Sequence, residues 1–158
     1  FGWTTYHLPL QPPVAPQRAS LFGWAARQTR RDALFIVPPG MYDFRLYATR
    51  SVYVDFRLFP IAQPGLAWQA RTRLERIAQP DSEARAARGA AAVRLWDRAY
   101  LDATHCRGIA RLIEETGADY LVRQTRDAAG NRHLAPDCGA GLPKVFANAG
   151  YAVYDARR

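Results

Sequence analysis

Five consecutive apolar residues, Ala33-Leu34-Phe35-Ile36-Val37, lie between Asp32 and the punctuation Pro38-Pro39-Gly40. The run is too short for a stable helix and has no polar side to face water. It reads as a strand buried on both faces, the signature of a parallel sheet. Parallel strands need crossover connections, usually helices, so this segment commits the chain to a layered α/β fold. Right-handed crossovers place helices on both faces of the sheet.

The rest of the 158-residue chain agrees with that start. Pro9, Pro12, Pro13 and Pro16 make residues 1–19 an extended, Pro-rich lead-in, and residues 20–158 form one domain. Ser20 is a plausible N-cap for a helix whose face is Leu21, Trp24 and Ala25 and which ends near Arg30-Arg31. A short irregular or helical piece runs from Met41 to Thr49, and Ser51–Phe56 is a second strand. Ala67, Ala70, Leu74 and Ile77 have helical spacing, closed by Pro80. Asp81 or Ser82 caps a long Ala/Arg-rich helix reaching Tyr100; its Glu83–Ala92 part lacks large apolar residues, so it is expected to project or move. A helix around Ile109–Ile113 ends at Gly117, and Ala118–Arg123 is a third strand. Residues 127–141 read as a surface loop. Lys144–Ala147 and Tyr151–Tyr154, joined by Asn148-Ala149-Gly150, form a C-terminal β-hairpin. The expected fold is thus α/β: a small, mostly parallel, Rossmann-like sheet flanked by helices and ending in a hairpin.

The formal net charge is +8, and Lys144 is the only lysine among 22 basic residues. Nearly all the positive charge is therefore guanidinium, suited to planar contacts with phosphate and carboxylate. A GC-rich genome produces the same bias, so a polyanion-facing surface is one of two readings. The series Arg71-Arg73-Arg76 and Arg85-Arg88-Arg94-Arg98 are interleaved with Glu75, Glu83 and Asp97. They read as solvated helix faces or as phosphate-binding surfaces. No RNP-type aromatic motif or helix-turn-helix signal points to nucleic acid, and no nucleic-acid partner is expected. No apolar run reaches the roughly 18 residues that would span a bilayer, and no signal-peptide pattern is present. The chain starts at Phe1 and reads as part of something longer.

Catalytic motifs are not evident. A nucleotide cradle needs glycine amides after the first strand, whereas Pro38-Pro39 offer none. Ser20, Ser51 and Ser82 lack a nucleophile elbow. No cofactor or metal is expected: adjacent His105 and Cys106 diverge by about 100° on a helix, which argues against a shared zinc with His133 and Cys138. The cluster with most chemical potential is Tyr42, Arg45, Arg50, Asp55 and Arg57, together with Asp43 and Tyr47. Ligands of parallel sheets sit beyond the carboxyl ends of the strands. Arg45 and Arg57 would hold an anion there, oriented by Asp55. The competing reading makes Arg45, Arg50 and Asp55 a structural ion-pair network, with Phe44 and Tyr47 in the core.

Trp24-Ala25-Ala26-Arg27-Gln28-Thr29 followed by Asp32–Pro39 resembles a pattern found after the last membrane span of large polytopic proteins related to the GT-C glycosyltransferases. Phe44–Tyr47, Arg50, Val54-Asp55-Phe56, Phe59-Pro60, Gly117–Val122 and Val145–Tyr154 extend the resemblance. It covers most of the chain, most weakly over Glu83–Cys106, and its motifs are structural. It implies a non-catalytic extracytoplasmic (periplasmic) accessory domain of a bacterial membrane protein. Its partners would be the membrane-embedded remainder of the parent and a saccharide or lipid-linked anionic ligand. A charge of +8 is compatible with that side, because the positive-inside rule governs short loops rather than long domains. In such a compartment Cys106 and Cys138 are candidates for one disulfide, with two free thiols as the alternative. The other functional expectation is a stand-alone α/β enzyme or small-anion-binding domain using Arg45, Asp55 and Arg57.

Overall fold

The computed structural model describes residues 14–56, 64–104, 106–125 and 141–157. Eleven elements follow in chain order: α1 (Pro16–Gln28), β1 (Leu34–Ile36), α2 (Phe44–Ala48), β2 (Ser51–Val52), α3 (Pro64–Ala78), α4 (Ser82–Ala86), α5 (Gly89–Ala103), α6 (Cys106–Thr116), β3 (Tyr120–Gln124), β4 (Lys144–Ala147) and β5 (Tyr151–Asp155). The five strands form one sheet in the order β2-β1-β3-β5-β4.

The chain is α/β, as the Ala33–Val37 run requires, but the sheet is only partly parallel. β1 pairs in parallel with β2 and β3, whereas β3–β5 and β5–β4 are antiparallel. The terminal hairpin accounts for the mixture. Its inner strand docks on the free edge of β3 through five residue pairs, Tyr120–Asp155 to Gln124–Tyr151. An antiparallel partner needs no crossover helix to arrive.

Alternate residues of the inner strands feed two cores, as period-2 geometry demands. Ile36, Leu121, Ala152 and Tyr154 pack against residues from α3–α6. Phe35, Val37, Tyr120, Val122 and Val153 pack against α1 and α2. Helices thus cover both faces.

Local differences from the sequence reading have physical causes. Helix α1 starts at Pro16 rather than Ser20, because proline at the first helical position is preset in φ and lacks only an N–H that would be unpaired there anyway. β2 stops after Val52. Tyr53 N–H still donates to Phe35 O (2.8 Å) and Phe56 N–H to Pro39 O (3.2 Å), but Pro38 and Pro39 have no amides to return, so the ladder ends. The long Ala/Arg helix is two helices: Ala87 and Arg88 are extended and Gly89 takes φ 58°. Within Glu83–Ala92, the stretch expected to project or move, most residues are exposed, but Ala84 is buried and its carbonyl accepts Trp96 Nε1–H at 2.8 Å, which anchors α4 to α5. Asp81 is the cap, accepting Ala84 N–H at 2.8 Å. Gly117 ends α6 with φ 65°, and the hairpin lies where its turn residues place it.

Candidate functional site

Of the sequence-nominated residues, Arg50 has the clearest role. It is 7% exposed. Nε donates to Thr29 Oγ1 (3.0 Å), Nη2 to the carbonyls of Ala26 and Thr29 (2.8 Å to Thr29), and Nη1 to Thr49 O (3.1 Å) and Thr49 Oγ1 (3.3 Å). Helix ends leave carbonyls without intrahelical partners. Arg50 satisfies those of α1 and ties them to the left-handed Thr49 after α2 (φ 51°). It is a structural clamp, and these bonds go to carbonyls and hydroxyls, not to a carboxylate as in the expected ion-pair network with Arg45 and Asp55.

Arg45 lies elsewhere. It lines an open groove of about 340 Å³ beside edge strand β2, with Arg31, Arg73 and the floor residue Arg50. The hydroxyl-bearing residues Thr49, Ser51 and Tyr53 complete the wall with Val52, and none of the lining residues is acidic. Arg73 sits over the Tyr53 ring, 5.5 Å from its centroid, and Arg76 Nη1 donates to Tyr53 Oη at 3.0 Å. Asp55 is not part of this groove; it is 1% exposed, past the carboxyl end of β2. Tyr42 is 40% exposed, and Arg57 falls outside the described residues. Phe44 is in the core as expected, whereas Tyr47 is 44% exposed and stacks on Phe22.

The carboxyl end of β1 holds a different cluster. Gly40 N–H donates to Asp97 Oδ1 on α5 at 2.7 Å, and Arg18 pairs with Asp43 at 3.2 Å. The Pro-Pro-Gly turn therefore offers its one useful amide to a side chain of the same chain. Burial pushes the Asp97 carboxyl up from 3.8 to about 6, against the Gly40 hydrogen bond and the attraction of Arg18, which both lower it. Folding thus favours protonated Asp97. That contribution is complete below the unfolded value of 3.8 and is lost as pH rises through about 6. Asp97→Asn keeps an acceptor for Gly40 and removes the titration. Relative to this variant, wild type is expected to lose on the order of 2 kcal/mol between about pH 3 and pH 8. Urea unfolding at several pH values measures it; a pH-independent difference contradicts the assignment.

Two larger concavities have mixed linings. One of about 510 Å³ includes Arg30, Glu114, Asp119 and Arg157, and one of about 520 Å³ includes Asp81, Glu83, Arg98 and Asp102. The nominated disulfide cannot be placed, because Cys138 lies outside the described residues; Cys106 opens α6. Among the described residues no group of three or more His, Cys, Asp or Glu side chains is arranged to hold a metal ion.

Sequence reasoning missed Arg31 and Arg73 as companions of Arg45, and Asp97 as the partner of Gly40. Arg73 carried a signal, as part of a basic helical series. Asp97 carried none, being 57 residues from Gly40.

Residues 18–74 match a family described as a domain of unknown function (DUF6798). The matched stretch contains the Arg50 clamp and every residue lining the β2 groove. No curated protein matches the chain.

Proposed function

We propose that the chain is a non-catalytic accessory domain on the extracytoplasmic, periplasmic face of a bacterial membrane. It belongs to a polytopic parent resembling the GT-C glycosyltransferases, rests on the bilayer surface beside the membrane-embedded remainder, and helps to hold a glycan or lipid-linked ligand. The resemblance over α1, β1 and the C-terminal hairpin supports this reading. The observation that carries it is the exposure of Trp68 on α3. Trp68 is 68% exposed and Leu66 47% exposed, the former the most exposed large apolar side chain among the described residues. Arg71, three residues on and so beside Trp68, is exposed on the same helix. Indole rings favour the headgroup layer, and guanidinium groups are drawn to anionic lipid. Glu75 offsets part of this charge through Arg71 (3.1 Å) and Arg85 (3.9 Å). None of the described helices is long and apolar enough to cross a membrane, so α3 lies on the surface in this reading.

Co-sedimentation with vesicles tests it. The domain is expected to bind phosphatidylglycerol-containing vesicles and not pure phosphatidylcholine. Trp68→Ser is expected to weaken binding roughly fivefold. Equal recovery on both lipids, or no effect of the substitution, overturns the reading.

The groove at β2 favours a second reading, a domain that binds a small anion in its own right. As an enzyme or binder built on Arg45, Asp55 and Arg57, this reading loses Asp55 from the groove. As an anion binder built on Arg45 it keeps its support.

A further inference from the structure

We propose that the groove beside β2 is a phosphate-ester site, taking the phosphate of a phosphorylated sugar or of a lipid headgroup. The inference deepens the anion-binding reading and does not depend on where the domain resides. Arg31 comes from the α1–β1 connection, Arg45 from α2 and Arg73 from α3. The fold thus draws three guanidinium groups from separate segments to one concavity, with Arg50 as a fourth charge beneath them. Gathering like charges costs energy, and here no carboxylate in the lining offsets it. Asp32, the acid next to Arg31 in the chain, is paired with Arg30 at 3.4 Å.

The floor is prepared as well as charged. The nitrogens of Arg50 are committed to carbonyls and hydroxyls, so Arg50 supplies field and rigidity rather than a ligand contact. Tyr53 Oη accepts from Arg76 and Thr49 Oγ1 accepts from Arg50. A hydroxyl that accepts from an arginine has its own hydrogen left to donate. Tetrahedral phosphate oxygens suit that mixture of guanidinium forks and hydroxyl donors. The volume of about 340 Å³ is at the small end of ligand sites, enough for a phosphate with one sugar-sized group.

The test is calorimetric titration with glucose 1-phosphate and with glucose, alongside sedimentation with phosphatidic-acid vesicles. Arg45→Gln/Arg73→Gln is compared with Arg111→Gln, an exposed arginine on α6 outside the groove. Wild type is expected to bind the phosphate ester and not glucose, and the double variant to bind at least about tenfold more weakly. Its thermal midpoint is expected to stay within about 2 °C, since both side chains are exposed. Groove-dependent binding of the soluble ester supports a sugar phosphate. Groove-dependent binding of the vesicles alone supports a headgroup. Absence of both, an unaffected double variant, or an equal loss in Arg111→Gln overturns the site. Vesicle binding that needs Trp68 but neither Arg45 nor Arg73 overturns this inference and leaves the membrane-surface reading standing.

Discussion

Arg50→Met is expected to destabilise the fold by about 3 kcal/mol. Methionine keeps much of the apolar stem and removes the donors. The carbonyls of Ala26, Thr29 and Thr49 and the hydroxyl of Thr29 then lose partners that Arg50 now supplies. Hydrogen bonds to a charged group are worth more than neutral ones, and a stranded buried acceptor costs its desolvation. Arg50→Lys is expected to recover less than half of the loss. One ammonium cannot reproduce a planar fork that reaches the end of α1 and the end of α2 together. Urea midpoints at constant slope measure both variants. A loss below about 1 kcal/mol for Arg50→Met would mean that water replaces the arginine and that the clamp is incidental.

Gly40→Val is expected to cost about 4 kcal/mol, and Gly40→Ala about half of that. A Cβ at position 40 would stand 2.5 Å from Asp97 Oδ2 and 2.7 Å from Val93 Cγ1. Both are side chains of α5, which is held by Trp96 and by Tyr100, whose Oη donates to Val122 O at 2.6 Å. The turn and the helix must therefore separate, and the Gly40–Asp97 hydrogen bond goes with that movement. Asp97→Ala removes one of the clashing groups, so Gly40→Ala/Asp97→Ala is expected to be more stable than the sum of the single losses by roughly 1 kcal/mol. Additive losses in that cycle would show that the close approach is not what position 40 is held by.

These two positions show how unevenly the sequence speaks. Gly40 is visible in the chain as the end of a Pro-Pro-Gly turn, and the absence of a phosphate cradle follows from its two prolines. That its amide is used by Asp97 is not visible. Arg50 is recognisable as a residue of interest, but its partners are backbone carbonyls 21 and 24 residues away. Carbonyls carry no residue type that a pattern can reveal. Arg45 is named for anion binding from its neighbours in sequence, Asp55 and Arg57. In the folded chain its charged companions are Arg31 and Arg73, because α2 and α3 both border the open edge of β2.

The sequence by itself determined which segments are strands and which are helices, and that helices cover both faces of the sheet. Burial has a local period, two in a strand and 3.6 in a helix, so apolar spacing records it residue by residue. The tertiary structure alone decided that the hairpin docks antiparallel on β3, that β2 ends at Val52 and that four arginines line the groove at its edge. Ladder direction and length depend on what the neighbouring strand offers as donors and acceptors, and a charge cluster depends on which segments arrive at the same edge. Neither property is periodic along the chain. The Ala33–Val37 strand shows both sides of that division: its sequence commits the chain to a sheet, while the groove beside its neighbour β2 and the bond from Gly40 to Asp97 on α5 come only from the fold.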